Sequence, residues 1–282
     1  MVGDREAATV VVDGVRLAYE EWGMGPPLLF VHGFGTSSHS WRAVMAALAD
    51  SHRTVAVDLM GFGRSEKPLR QLYTMERQAA LLRGFITQLD LADPVLVGHS
   101  YGGGVCLMLL RLNRDFNPRS LVLVDPVCYP QKLPLFLRLL RTPALGPLLL
   151  NALPVEKAVR MGLQRAYYRP LVIRNDTVAA YAAALRAPGG KQAAIATAAH
   201  FFPQDLQGML RSYKQIKCPT LIIWGERDPL IPVLTAKRLL TDIAGARVKV
   251  LEGTGHVPQE EVPQRVSQAI SEFLSMLPKN KF

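Results

Sequence analysis

The chain has 282 residues, 49% of them apolar and 20% charged, with a formal net charge of +10. That is enough apolar material for one large core, with or without an insertion, and it excludes an intrinsically disordered chain. Cys106, Cys128 and Cys218 are odd in number, widely spaced and without a C-x-x-C pattern, which indicates neither a disulfide framework nor a cysteine zinc site and reads as three small buried hydrophobes.

In chain order, the opening stretch "MVGDREAATV" has no basic segment followed by an apolar one, and no later run reaches the ~18 apolar residues of a spanning helix. A cytoplasmic protein is therefore expected. "ATVVVDGVRLAYEEWG" carries Asp-Gly between two β-prone runs and predicts an antiparallel hairpin at a sheet edge. Six short runs follow, each ending in a Gly- or Asp-bearing turn: "PLLFVHGFG", "TVAVDLMGFG", "PVLVGHS", "SLVLVDP", "PTLIIWGERD" and "RVKVLEGTGH". Runs of this length and composition predict strands buried on both faces of a parallel sheet. Helix-like segments alternate with them at Ser40 to Ala49, Met75 to Leu89, Gly103 to Asn113, Val233 to Leu240 and Pro263 to Leu277, as in an α/β sheet covered on both sides.

From Tyr129 to about Tyr213 the rhythm stops. Prolines at 130, 134, 143, 147, 154, 170, 188 and 203 punctuate short helical pieces. Between Cys128 and Lys214 twelve Lys and Arg face three acids, so nine of the ten net positive charges sit there. The predicted organisation is a core over residues 1–127, a helical insertion over 128–214 and the rest of the core over 215–282. No nucleic-acid motif accompanies the charge, so nucleic acid is not an expected partner.

Ligands bind beyond the carboxyl ends of strands in such a sheet, and these ends carry acyl-transfer chemistry. After "PVLV" comes Gly98-His99-Ser100-Tyr101-Gly102, a G-x-S-x-G in a strand–turn–helix context. Gly98 and Gly102 lack bulk where strand and helix must pack closely around a strained nucleophile. A serine hydroxyl needs a base, and the base an orienting acceptor. Asp228 after "LIIWGER" and His256 after "VKVLEGTG" supply them in the order Ser, Asp, His. The oxyanion donors expected are the backbone N–H groups of Tyr101 and of Phe34 in "HGFG". His99 is expected to be structural, His32 and Asp58 to bond to backbone near their turns, His39, His52 and His200 to lack supporting partners, and Trp224 to pack.

Together "PLLFVHGFG", "DLMGFGRSEKP", "VGHSYGG", "LVLVDP", "PTLIIWGERDPLIP" and "GTGHVPQEEVP" resemble, in order and over nearly the full length, the α/β-hydrolase superfamily. The resemblance implies a mostly parallel eight-stranded sheet with a helical cap inserted after the sixth strand. It also offers Asp125, at the end of "LVLVD", as a second position for the acid. A serine nucleophile argues against the related dehalogenases and epoxide hydrolases, which form an ester on Asp. The expected activity is hydrolysis of carboxylic esters with apolar groups, needing no metal or organic cofactor. Two alternatives stand beside it: cleavage of carbon–carbon bonds in dienoates, with Arg186 or Arg174 binding a substrate carboxylate, and small-molecule binding without turnover. The segment "KLPLFLRLLRTPALGPLLLNALP" admits two readings, leucines packed on the core with solvated cations, or peripheral contact with an anionic membrane.

Overall fold

The computed structural model describes residues 7–143 and 145–278. The Asp-Gly hairpin forms as expected: β1 (Ala8–Val12) pairs antiparallel with β2 (Val15–Trp22), Val12 opposite Val15, and Asp13 and Gly14 take φ of 47° and 75° at the turn. Two left-handed residues give a turn whose twist matches the strands. The remaining strands are β3 (Pro27–Val31), β4 (Arg53–Val57), β5 (Val95–His99), β6 (Ser120–Val124), β7 (Thr220–Gly225) and β8 (Arg247–Leu251). They build one sheet in the order β1-β2-β4-β3-β5-β6-β7-β8, parallel from β4 to β8.

Strand side chains alternate between faces, and each face buries its own set. Leu28 and Phe30 meet Trp41, Val44 and Met45 beside α1 (Arg42–Leu48) together with Ile270 and Phe273. Leu29 and Val31 face the opposite cluster, with Leu82 and Phe85 of α2 (Met75–Gln88) and Val105 and Leu109 of α3 (Tyr101–Leu112). Each fully buried side chain of this size contributes about 1.5–3 kcal/mol. β8 departs from the expected pattern: Arg247, Lys249 and Val250 are exposed. It is an edge strand, and its charges discourage pairing with another chain.

Between β6 and β7 the chain runs through α4 (Leu135–Leu140), α5 (Leu145–Ala152), α6 (Val155–Ala166), α7 (Asn175–Arg186), α8 (Gly190–Ala199) and α9 (Leu206–Ser212). After β7 come α10 (Leu234–Asp242), α11 (Pro258–Glu261) and α12 (Pro263–Ser275), the last packed on the α1 face. Connections leave β3 toward β4 on one side and β5 toward β6 on the other, so the order of strands switches between β3 and β5. Open α/β sheets bind ligands at that switch.

Candidate active site

Ser100 stands at the crest between β5 and α3 with φ 51° and ψ −117°, a conformation that a residue with a β-carbon adopts only under constraint. The constraint comes from both neighbours. Ser100 N–H donates to Val124 C=O at 3.0 Å, and its own C=O accepts from Val127 N–H at 2.9 Å. The flanking glycines are steric requirements: a β-carbon on Gly102 would lie 2.4 Å from the His32 carbonyl oxygen, and one on Gly98 would lie 2.7 Å from the Gly103 α-carbon. Such approaches force backbone movement. α3 begins at Tyr101, two residues before the glycine run was expected to give way to helix, because close packing on the sheet outweighs the low helix propensity of Gly102 to Gly104.

The side chains from three strand ends meet. Ser100 Oγ and His256 Nε2 are 2.9 Å apart, and His256 Nδ1 lies 2.7 Å from Asp228 Oδ2. The other oxygen of Asp228 accepts from Leu230 N–H at 2.7 Å and Ile231 N–H at 2.9 Å, which locks the carboxylate in place. Ser100 and His256 are 7% and 5% exposed, so the pair is shielded from bulk water yet reachable.

Asp125 occupies the second position for the acid but does not take the imidazole. Its Oδ1 accepts from Gly225 N–H at 2.9 Å, its Oδ2 has no partner among the described residues, and it is fully buried. Burial, and then the nearby Asp228 carboxylate, push the Asp125 carboxyl well above the usual range, as expected when two buried carboxylates crowd together. Ligand-type atoms of Asp125, Asp228 and His256 lie within 4.8 Å of one another. Both imidazole nitrogens are hydrogen-bonded, Nδ1 with Asp228 and Nε2 with Ser100.

The loop after β3 lies against the serine: a β-carbon on Gly33 would fall 3.2 Å from Ser100 Cβ. Phe34 follows in that loop. Tyr101 opens α3, so its N–H has no acceptor within the helix. An aromatic wall flanks these amides, with Phe34 ring-to-ring at 5.6 Å from Phe62 and 6.0 Å from Phe201, and Tyr101 at 5.4 Å from Phe201.

Three supports of His256 carry no sequence motif. His99 Nε2–H donates to the His256 carbonyl at 2.7 Å, since a carbonyl can only accept. Burial, and then the His256 ring, push the His99 imidazole well below its ordinary value, consistent with a neutral donor. His256 N–H donates to Ala166 C=O at 2.8 Å at the end of α6. Glu261 accepts from Gly255 N–H at 2.9 Å and from Tyr168 N–H at 3.0 Å, joining the histidine loop to the helical insertion.

Glu260, beside it, is half-buried and accepts from the hydroxyls of Tyr167 (2.5 Å) and Tyr181. Burial raises its carboxyl from 4.5 to about 7. A raised carboxyl makes the folded state the better proton binder, so its stabilising contribution is present below about 4.5 and is lost as pH climbs through about 7. The full span corresponds to about 3 kcal/mol. Glu260→Gln is expected to flatten the pH dependence of the urea midpoint across that window, and an unchanged slope would assign the dependence to other groups.

The remaining histidines are structural. His32 Nδ1–H donates to Gly33 C=O at 2.7 Å while Nε2 accepts from Leu59 N–H at 2.9 Å, and Asp58 accepts from Ser38 and Arg64 N–H at 2.6 and 2.8 Å. Of the other three, His52 bonds the Ser51 hydroxyl, His200 bonds the Ala196 carbonyl, and the His39 ring meets Tyr181 edge-on. Trp224 is buried and donates to Ile231 C=O at 3.1 Å. Arg174 and Arg186 are ion-paired at exposed positions with Asp176 and Glu156.

A serine is held on a strand–turn–helix crest of this α/β sheet, with a histidine and a carboxylate brought to it from later strand ends. The chain belongs to the alpha/beta hydrolase family, whose sequence profile matches residues 28–269. It is 29% identical over 268 residues to the uncharacterized hydrolase YugF of Bacillus subtilis (strain 168), covering 93% of this chain and 96% of that one. It is 30% identical over 280 residues to the 2-hydroxymuconate semialdehyde hydrolase of Pseudomonas sp. (strain CF600), covering 94% and 93%. Among solved structures, an alpha/beta hydrolase fold protein from Burkholderia ambifaria matches with a TM-score of 0.83 at 28% identity, covering 94% of this chain and 97% of that one. Among the described residues no helix is long and apolar enough to cross a membrane.

Proposed function

We propose that this protein is a serine hydrolase of carboxylic esters bearing apolar acyl or alcohol groups. The observation that carries the reading is the continuous line from Ser100 Oγ through His256 to Asp228, at 2.9 and 2.7 Å. Distances of this kind are those over which a base takes a hydroxyl proton. His256 Nε2 removes the Ser100 proton as Oγ attacks the ester carbonyl, and Asp228 holds the imidazole in the tautomer that leaves Nε2 free to accept. The negative oxygen of the tetrahedral intermediate sits against the Phe34 and Tyr101 N–H groups, where one such donor contributes about 2.7–4 kcal/mol. The proton on His256 passes to the departing alcohol. Water, deprotonated in turn by His256, attacks the acyl-enzyme, and Ser100 Oγ leaves with that proton to restore the starting state. None of these steps calls on a metal or organic cofactor. The rings of Phe34, Phe62, Phe201 and Tyr101 support an apolar substrate.

The similarity to a 2-hydroxymuconate semialdehyde hydrolase favours one second reading, in which the same residues cleave a carbon–carbon bond of a dienoate. The pairing of Arg174 and Arg186 with acids weighs against either as its carboxylate anchor. Steady-state rates on p-nitrophenyl esters of increasing acyl length, with a 2-hydroxy-6-oxodienoate in the panel, separate the two. For the ester reading kcat/KM rises about fourfold per added methylene until the pocket ends, following about 0.8 kcal/mol per buried methylene. A dienoate turned over faster than every ester would replace that reading with the second. Saturable binding of either without turnover would make the protein a binder.

A further inference from the structure

The two short helices that open the insertion present an apolar and basic face to solvent. α4 turns Leu137 and Leu140 inward, and Leu150 of α5 packs on the same core. Gly146 fastens the pair, since a β-carbon there would lie 2.2 Å from the Leu140 carbonyl oxygen. The leucines are thus divided, and part of the segment does not pack: Leu135 is 58% exposed, Phe136 37%, Leu145 42% and Leu148 64%. Lys132, Arg138 and Arg141, in the same stretch of chain, are exposed as well. No Asp or Glu occurs from residue 126 to 155, and among the described residues none of these three cations is ion-paired.

Clustered large apolar side chains on an exposed face mark a contact surface. The charged side chains of residues 126–155 carry a single sign, which selects an anionic partner. A two-fold dimer through the same face would set these cations against the cations of the second copy. Leu and Phe interleaved with Lys and Arg on short helices match the headgroup layer of a bilayer, where the apolar side chains enter the acyl boundary and the cations meet phosphate.

We propose that the α4–α5 face is a peripheral docking surface for anionic lipid bilayers, with Leu135, Phe136, Leu145 and Leu148 inserted and Lys132, Arg138 and Arg141 on lipid phosphates. α4 and α5 pack on α8, and Phe201 just beyond α8 touches Phe34 and Tyr101 beside the serine. Docking would therefore bring a lipid-soluble ester close to Ser100. That last consequence rests on the ester reading, whereas the docking itself does not.

The test is flotation of the full chain with vesicles of phosphatidylcholine alone and of phosphatidylcholine with phosphatidylglycerol. Binding is expected only with phosphatidylglycerol and is expected to weaken as salt rises, because the screening length shortens. Replacing Lys132, Arg138 and Arg141 together by Gln should weaken it roughly 100-fold, at about fivefold per cation. Leu135→Ser with Leu148→Ser should abolish the fraction that resists salt. Unchanged unfolding midpoints in both variants show that the fold is intact and that the loss belongs to the surface. Equal binding to both vesicle types, wild-type binding by the charge variant, or a dimer in sedimentation equilibrium that dissociates with the leucine variant would overturn the proposal. Loss of ester turnover with vesicle binding intact would count against the ester reading alone.

Discussion

Ser100→Ala is expected to lower kcat on p-nitrophenyl esters by roughly 10⁵-fold or more and to abolish covalent labelling by a fluorophosphonate probe. The probe reacts when Oγ bonds to phosphorus and fluoride departs, with the hydroxyl proton passing to His256, and alanine offers no atom for that bond. The substitution keeps the β-carbon, so the positive φ of 51° and the contacts that enforce it remain. Stability should therefore move by less than about 0.5 kcal/mol, and lost activity cannot be traced to unfolding. Residual turnover would come from polarisation of the carbonyl by the Phe34 and Tyr101 amides acting on water. Wild-type turnover in the variant, with labelling retained, would remove Ser100 from the chemistry and the ester mechanism with it.

The parts of the fold that could be read from the chain are those governed by local rules. Asp13-Gly14 specifies its hairpin through two left-handed residues, and buried runs such as "SLVLV" admit few structures besides an interior strand. Ser100, Asp228 and His256 could be singled out because each follows a strand-like run by a few residues, Ser100 and Asp228 after buried strands and His256 after the edge strand β8, at the sheet end where ligands bind. Asp125 and Asp228 could not be ranked that way, since both follow a buried strand. Only the structure shows that Asp125 spends an oxygen on Gly225 N–H while Asp228 reaches the imidazole. The supports of His256 were hidden for a different reason. Ala166 acts through its main-chain carbonyl, and the side chains of His99 and Glu261 bond to main-chain groups of His256 and Gly255, so none of the three pairs two residue types that a sequence pattern would mark. The helices between β6 and β7 fall where charge and proline content change, yet which of their leucines face inward depends on how α4, α5 and α8 meet, a matter of tertiary packing alone.

Asp228→Asn is expected to cost about 10⁴-fold in kcat, and the hydrogen bonds around the carboxylate dictate why. Oδ1 accepts from two backbone amides, Leu230 and Ile231. An asparagine keeps its oxygen there, so its NH₂ must occupy the Oδ2 place, 2.7 Å from His256 Nδ1. A donor in that place demands the lone pair of Nδ1 and drives the imidazole proton to Nε2, where it faces Ser100 and can no longer accept the hydroxyl proton. Asp125→Asn has the opposite logic. Its oxygen keeps the Gly225 N–H, its NH₂ takes the unpartnered Oδ2 place, and a crowded second carboxyl is removed from beside Asp228. That variant is expected to retain kcat within about tenfold, because the group Asp228 presents to the histidine is untouched. Steady-state kinetics of the two single variants decide the matter: comparable losses would mean that the two carboxyls orient His256 as a unit, and a larger loss at Asp125 would transfer the acid's role to the end of β6.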